Sequence, residues 1–329
     1  MLYSAWKNFY QHTVTSASSV NTRMQSTPNT KTTNSITAQY LSKFLLLCFW
    51  CIGQLPLAFG LKLGHWFGLL SFWVLPRRRN IAAANIKLCF PELNEQAQQT
   101  LVKHCLIANI QGFFESAKAW WGNMQPILDQ CDFIGYEHLA ALESKQEACL
   151  LIGAHFTTLD MGGRIIGEVS PISILYRPMN NQVFDEAIFK ARSQIYHSVM
   201  DKNKMRSLVR ALKQKQTLWY PADQDYGMKD SVFASFFGIQ AASLATTSGL
   251  ATMGKCKLLG LFHHRLPDNR YRIEVCPIEV SDLSDPVATA QAVNDTTEAG
   301  IRKFPEQYMW VHRRFKTRPP GSDQSIYDT

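Results

Sequence analysis

Residues 150–160 read LLIGAHFTTLD, an apolar run that ends in glycine and is followed by a histidine and an acid. The apolar part predicts a buried strand, and Gly153 marks the point where that strand ends. His155 comes two residues later, and Asp160 lies near the expected start of a packed helix, where an ionised carboxylate is favoured. This segment therefore predicts a strand, a short loop and a helix, with two titratable groups close together.

The spacing of His155 and Asp160 suggests a base with a group that orients it. A carboxylate that accepts a hydrogen bond from one imidazole nitrogen leaves the other nitrogen free to take a proton, which suits acyl transfer to an alcohol. Zinc ligands on a helix are spaced i, i+4, whereas this spacing is i, i+5, so we predict no metal site. The alternative is an ordinary loop histidine and a helix-capping acid, and the motif taken alone favours that alternative.

Strand and helix patterns alternate through the rest of the chain. The strands are predicted over residues 148–153, 172–176, 217–220, 257–262 and 271–277. The helices are predicted over residues 81–87, 94–118, 183–197, 205–214, 246–254 and 287–304. This alternation predicts a single layered α/β domain over residues 80–321, with a mostly parallel central sheet flanked by helices. Sites in such domains form at the carboxyl ends of the strands.

Further polar residues follow the predicted strands or lie in the basic, aromatic segment PEQYMWVHRRFKTRP at residues 305–319. An arginine after a strand suits a phosphate or a developing oxyanion, and the acids suit hydroxyl binding, metal binding or turn capping. The C-terminal segment suits a phosphorylated amphiphile or nucleic acid. Salt bridges and turn capping remain alternatives for each residue. The candidate substrate-binding residues are Arg177, Asp223, Asp225, Arg313 and Arg314.

The N-terminal part is expected to attach the protein to a membrane. Residues 1–40 are rich in Ser, Thr and Asn and predict a disordered tail. Residues 41–79 predict an anchor, with a span over about 44–61 and then an interfacial helix that ends in Arg77-Arg78-Arg79 on the cytoplasmic side. A buried helical hairpin of a soluble protein is the alternative. Residues 322–329 are expected to form a short tail.

Composition is consistent with one large domain that has acidic partners. The chain has 329 residues, 46% hydrophobic content and a formal net charge of +8. Anionic lipid, phosphorylated substrates, acidic carrier proteins and nucleic acid all fit this charge. The 8 cysteines are scattered and do not resemble a disulfide framework, which favours a reducing compartment.

Four segments, GAHFTTLD, LYRPMNN, WYPADQDYG and the C-terminal segment, follow the apolar N-terminal region in this order. Together they closely resemble the lipid A late acyltransferases of Gram-negative bacteria, a family of the glycerolipid (lysophospholipid) acyltransferase superfamily. The resemblance covers roughly residues 40–321. It implies a glycerolipid acyltransferase-like fold behind a membrane helix. In that family an H-x-x-x-x-D/E pair is catalytic, and this pair maps onto His155 and Asp160.

The resemblance also implies an activity and a location. The enzyme would lie at the bacterial inner membrane, with its catalytic domain on the cytoplasmic side. It would move a fatty acyl chain from acyl carrier protein onto a hydroxyl of a Kdo-bearing lipid A precursor, without metal, nucleotide or nucleic acid. One alternative is a glycerol-phosphate or lysophospholipid acyltransferase. Another is a non-catalytic, membrane-tethered protein that binds anionic lipid or nucleic acid.

Overall fold

A computed structural model describes residues 36–322 and 325–327. The tail predicted over residues 1–40 lies outside the described residues up to residue 35, and the first helix begins at Ile36. Of the tail predicted over residues 322–329, residues 323–324 and 328–329 also lie outside them.

The described part alternates helices and strands, as the sequence predicts. The helices of the N-terminal region are α1 (Ile36–Gln54), α2 (Leu57–Val74), α3 (Pro76–Cys89) and α4 (Glu95–Trp121). The later helices are α5 (Gln125–Leu128), α6 (Tyr136–Ser144), α7 (Leu159–Val169), α8 (Gln182–Ile195), α9 (Met205–Lys213), α10 (Thr246–Gly254) and α11 (Pro286–Lys303). The strands are β1 (Asp132–Ile134), β2 (Cys149–Gly153), β3 (Ile172–Tyr176), β4 (Ser198–Asp201), β5 (Thr217–Pro221), β6 (Ser231–Phe236), β7 (Ile239–Leu244), β8 (Lys257–Arg265) and β9 (Tyr271–Pro277).

Seven strands form the main sheet, in the order β1-β9-β8-β2-β5-β3-β4. Neighbouring strands run parallel except β8 and β9, which are antiparallel. The predicted α/β domain with a mostly parallel sheet is therefore confirmed. The sequence patterns did not reveal β1, β4 or the separate antiparallel hairpin of β6 and β7.

Strand β2 lies inside the sheet and is buried on both faces. Leu151 packs with Ile165 of α7 on one face. Leu150 and Ile152 pack with Leu208 of α9 on the other face. Burial on both faces explains why β2 reads as a continuous apolar run, since alternating polar residues would face the core. The helices thus flank the sheet on both sides.

The N-terminal helices correct the predicted anchor. Helix α1 ends at Gln54 and α2 begins at Leu57, and the intervening Pro56 lacks the N–H that a continuous helix needs. The continuous helix predicted over about 44–61 is therefore wrong, because the chain breaks between α1 and α2. The interfacial helix predicted after it stays a prediction. In the described residues, the helix long and apolar enough to cross a membrane is α2.

Helix α2 packs closely on α4 through small residues. A Cβ at Gly68 would lie 2.6 Å from Cα of Ile107, and one at Gly64 would lie 2.9 Å from Cα of Gln111. Other side chains of α2 are exposed, with Trp66 70% and Trp73 74% accessible. One face of α2 is thus fitted to the protein, while large apolar side chains on the rest face outward.

Candidate active site

His155 and Asp223 are brought together by the pairing of two neighbouring strands. Gly153 at the end of β2 pairs in parallel register with Pro221 at the end of β5. Residues two positions beyond each strand end therefore lie opposite each other. His155 Nδ1 lies 2.6 Å from Oδ1 of Asp223, and the backbone N–H of His155 donates to Oδ2 at 2.8 Å. The carboxyl group that orients the imidazole is that of Asp223.

The structure corrects the predicted pairing of His155 with Asp160. Asp160 lies in the first turn of α7, where its carboxylate meets side chains of α4 and α8. Its Oδ2 accepts from Ser116 Oγ at 2.8 Å. Its Oδ1 accepts from Trp120 Nε1 at 3.2 Å and from Arg192 Nη2 at 2.8 Å. Asp160 thus forms an ion pair instead of orienting the imidazole, although it borders the same cavity as His155.

The His155–Asp223 contact sets the charge state of both groups. Burial alone lowers the pKa of His155, but the charge and the hydrogen bond of Asp223 outweigh burial and raise that pKa. Burial raises the pKa of Asp223, yet His155 and the hydrogen bonds lower it to about 2. Asp223 is therefore ionised at neutral pH and accepts from Nδ1–H, which leaves Nε2 of His155 as the basic nitrogen.

Two cavities meet at His155. The larger, of about 510 Å³, extends along the sheet and is bordered by apolar side chains and by charged groups. The smaller, of about 150 Å³, is bordered by several charged and polar side chains and lies beside the C-terminal segment. Representative side chains of the larger cavity are Leu159, Ile166, Ile174, Asp160, Arg177 and Arg192. Representative side chains of the smaller cavity are Asn85, Asp223, Gln224, His312, Arg313 and Lys316. A reacting group at His155 can thus be approached from two sides.

Arg192 is a candidate residue that sequence reasoning missed. Its guanidinium pairs with Asp160 and lies 5.7 Å from the ring centres of both Trp120 and Tyr176. Burial lowers the pKa of Arg192, but Asp160 more than compensates and raises it, so the group stays charged. The sequence around Arg192 contains no recognisable motif. Only the packing of α4, α7 and α8 shows that Arg192 borders the larger cavity.

The predicted substrate-binding residues separate into three groups. Asp223 was predicted to bind substrate, but its carboxylate instead pairs with His155. Arg177 is exposed at the end of β3 and borders the larger cavity, and Arg313 is exposed beside the smaller one. Arg314 is 2% exposed, and its guanidinium donates to the carbonyl of Ala242 and the hydroxyl of Ser243. Asp225 accepts from the backbone N–H and the hydroxyl of Thr317. Arg314 and Asp225 therefore hold the C-terminal segment in place.

The C-terminal segment forms one wall of the site. Met309 N–H donates to the carbonyl of His155 at 3.0 Å, and Thr157 N–H donates to the carbonyl of Gln307 at 2.7 Å. The ring centre of His312 lies 6.0 Å from that of His155. Burial, and then repulsion by His155, lower the pKa of His312. The aromatic and basic pattern of this segment thus reflects its role in fixing the loop that carries His155.

With this geometry established, the chain can be compared with known proteins. Residues 27–317 match the model of the bacterial lipid A biosynthesis acyltransferase family. The chain belongs to this family. It is 36% identical to the lipid A biosynthesis lauroyltransferase of Escherichia coli K12 over 83% of this chain and 90% of that protein. It is also 32% identical to the lipid A biosynthesis palmitoleoyltransferase of the same strain, over 88% of this chain and 94% of that protein.

A third relative is a lipid A biosynthesis acyltransferase of Haemophilus influenzae, 33% identical over 81% of this chain and 87% of that protein. The resemblance inferred from the four sequence segments is therefore confirmed, and the chain is a lipid A biosynthesis acyltransferase. The chemistry of such an enzyme requires a base, a route for an acyl chain and a place for the developing negative charge. The His155–Asp223 pair, the larger cavity and the two arginines beside it are candidates for these three roles.

Proposed function

We propose that this acyltransferase moves a fatty acyl chain from acyl carrier protein onto a hydroxyl of a Kdo-bearing lipid A precursor. The observation that carries this proposal is the partly exposed His155 paired with the buried Asp223 at the junction of two cavities, in a chain of this family. A hydroxyl and a thioester have to meet beside a base, and the two cavities provide separate approaches to one imidazole.

In the proposed mechanism, Nε2 of His155 takes the proton of the acceptor hydroxyl as its oxygen attacks the thioester carbonyl. The resulting oxyanion collapses, the C–S bond breaks, and the imidazolium returns its proton to the thiolate that leaves. Asp223 holds the Nδ1–H tautomer and stabilises the imidazolium. The enzyme itself forms no covalent bond, because His155 acts only as base and acid.

The charged groups beside the larger cavity are proposed to bind negative charge. Arg192 stays protonated and has only one carboxylate partner among the described residues, which leaves donors of its guanidinium for an oxyanion or phosphate. We assign Asp160 the role of holding Arg192, so the His155 and Asp160 motif would contribute two different functions. Arg177 has no hydrogen bond or ion pair within residues 36–322 and 325–327 and is a second candidate for phosphate. Arg313 is the corresponding candidate beside the smaller cavity.

The apolar part of the larger cavity is proposed to hold the acyl chain. Leu159, Ile166 and Ile174 lie on this wall, and a buried apolar lining suits an alkyl chain better than a headgroup. The exposed aromatic residues of α2 support attachment to the inner membrane. Arg77–Arg79 in the first turn of α3, directly after α2, support a cytoplasmic position for the domain.

The proposal is tested by a matrix of donors and acceptors with purified enzyme. Acyl carrier protein loaded with a fatty acid is offered together with a Kdo-bearing lipid A precursor, glycerol 3-phosphate or a lysophospholipid, and products are measured by mass spectrometry. We expect only the lipid A precursor to gain an acyl group, and His155→Ala to lower turnover by about 100-fold or more. Efficient acylation of glycerol 3-phosphate would overturn the proposed acceptor.

We also propose that the reaction needs neither a metal nor a nucleotide. The imidazole paired with a carboxylate supplies the base, so proton transfer requires no metal-bound hydroxide. Dialysis against a chelator is expected to leave turnover unchanged. Loss of turnover that is restored by adding a divalent cation would contradict this part of the proposal.

A further inference from the structure

The stretch from residue 202 to residue 216 carries six cations and no acid. No ion pair involves any of them within the described part of the chain. Elsewhere, exposed arginines such as Arg270 and Arg302 have carboxylate partners. The six cations are Lys202, Lys204, Arg206, Arg210, Lys213 and Lys215.

Three of these cations share one exposed face of α9. Arg206, Arg210 and Lys213 are spaced i, i+4 and i+7, which places them on one side of a helix, and all three are exposed. The opposite side is apolar and buried in the domain through Leu208 and Leu212. We call Arg206, Arg210 and Lys213 the α9 basic face.

The α9 basic face begins at the border of the larger cavity. Lys202, Asn203 and Met205, in the loop before α9 and at its first residue, border this cavity together with His155. The Lys202 ammonium lies 5.8 Å from the ring centre of Tyr226, which also borders it. A partner seated on α9 would therefore stand beside the cavity that we assign to the acyl chain.

We propose that the α9 basic face docks the acidic surface of the protein that carries the acyl thioester. This inference rests on the proposed function, since it takes a carrier protein as the donor. Unpaired cations beside an active-site cavity attract an acidic protein, speed its encounter and orient it. The thioester would then enter the larger cavity directly, without the carrier leaving the surface of the enzyme.

A membrane surface is the competing occupant, and the structure of α9 disfavours it. Helices that lie in a lipid interface insert their apolar face into the membrane. The apolar face of α9 is instead buried in the domain, and the large apolar side chain that α9 leaves exposed is Met205. The exposed tryptophans lie on α1 and α2, as Trp50, Trp66 and Trp73.

The test compares two donors on a charge-reversed enzyme. The variant Arg206→Glu/Arg210→Glu/Lys213→Glu is assayed with acyl carrier protein as donor and with an acyl pantetheine thioester, which lacks the acidic protein. We expect the KM for the carrier-bound donor to rise by at least about tenfold, with kcat and the kinetics of the pantetheine thioester within about twofold of wild type. Salt should raise the KM for the carrier-bound donor in wild type but not in the variant.

The matched control is Lys87→Glu/Lys103→Glu, which reverses two exposed cations on α3 and α4 that border neither cavity. This control should leave the KM for the carrier-bound donor unchanged. Unchanged turnover of the pantetheine thioester also shows that a variant is folded. If the triple variant does not fold, Arg206→Gln/Arg210→Gln replaces it, with the same direction of change.

One result would overturn the docking site alone, namely an unchanged KM for the carrier-bound donor in a folded variant. If that variant also binds phosphatidylglycerol vesicles more weakly than wild type, α9 is assigned to the membrane. If wild type uses the pantetheine thioester but never the carrier-bound donor, the proposed donor itself is wrong, and the docking site falls with it.

Discussion

Replacing Asp223 by asparagine tests which carboxylate orients the imidazole of His155. The structure assigns this role to Asp223, whereas the sequence motif predicted Asp160. The carboxylate of Asp223 accepts two hydrogen bonds from the same residue, one from the backbone N–H of His155 and one from its Nδ1. An asparagine offers one oxygen for these two donors. If that oxygen keeps the backbone N–H, the amide NH₂ faces Nδ1 and forces the proton onto Nε2, which removes the base.

We expect Asp223→Asn to lower kcat by about 10²- to 10⁴-fold, the range for loss of a correctly oriented general base. The pH profile gives a second readout. His155 must be neutral to act, so kcat/KM rises with pH through the pKa of His155. Since Asp223 raises that pKa, its neutralisation should move the acidic limb of the residual activity to lower pH.

Asp160→Asn is the comparison, because its carboxylate binds Arg192 and not the imidazole. It should lower kcat without moving the acidic limb. The assay is steady-state turnover of both variants from pH 5 to 9, with thermal melting as a check of folding. A shifted limb in Asp160→Asn and an unshifted limb in Asp223→Asn would refute the assignment of Asp223 as the orienting carboxylate.

Three further perturbations test other parts of the structure. Arg192→Leu removes the cation beside Asp160 and should lower kcat by about 100-fold, the scale for a lost group that stabilises an oxyanion, as measured by steady-state turnover. Gly68→Ala places a Cβ 2.6 Å from Cα of Ile107 and should destabilise the protein by about 1–3 kcal/mol, as measured by denaturant unfolding in detergent. Burial, and then the charge of His263, lower the pKa of His264 to about 3 in the folded protein. Below about pH 6.5 the unfolded chain therefore binds a proton at His264 that the folded protein does not bind. The free energy of unfolding thus decreases as the pH falls below that value. His264→Phe should therefore lose less thermal stability than wild type between pH 7.5 and pH 5.

Each of these changes has a control or a contradicting outcome. Gly249→Ala is the control for Gly68, because the nearest heavy atom to its added Cβ lies 3.8 Å away, and it should leave stability unchanged or raise it by up to about 1 kcal/mol, since alanine favours a helix more than glycine does. Arg192→Lys keeps the charge and should recover part of the activity lost in Arg192→Leu. Turnover of Arg192→Leu within about twofold of wild type would remove Arg192 from the mechanism. An equal loss of thermal stability between pH 7.5 and pH 5 in wild type and in His264→Phe would contradict the proposed effect of His264 protonation.

Local sequence patterns predicted the domain well because its buried strands leave a local signal. The run CLLIG of β2 is apolar throughout, since both of its faces are covered by helices. The interruption between α1 and α2 also had a local signal in Pro56, because proline lacks the N–H that a continuous helix needs. Strands β1 and β4 are short and only partly buried, so their patterns are too weak to distinguish from loops.

The antiparallel direction of β9 had a local signal that the general alternation pattern obscured, because only a short connection without a helix separates the strands predicted over residues 257–262 and 271–277. Its residues form a buried strand whichever way it runs, and the pattern of strands alternating with helices suggested a parallel neighbour. In the structure a short turn joins β8 to β9, with Leu266 N–H donating to the carbonyl of Arg270 at 2.8 Å. The direction of a strand is thus decided by the connection that precedes it.

The sequence by itself determined, to within one residue, where β2 and β5 end, that His155 follows β2, and that Asp223 follows β5. Only the tertiary structure decided which carboxylate His155 binds. Asp160 is near in sequence, but α7 directs it toward Arg192, whereas Asp223 is 68 residues away and lies opposite His155. The reason is that the order and register of strands depend on contacts between distant segments, and β2 beside β5 brings the two side chains together.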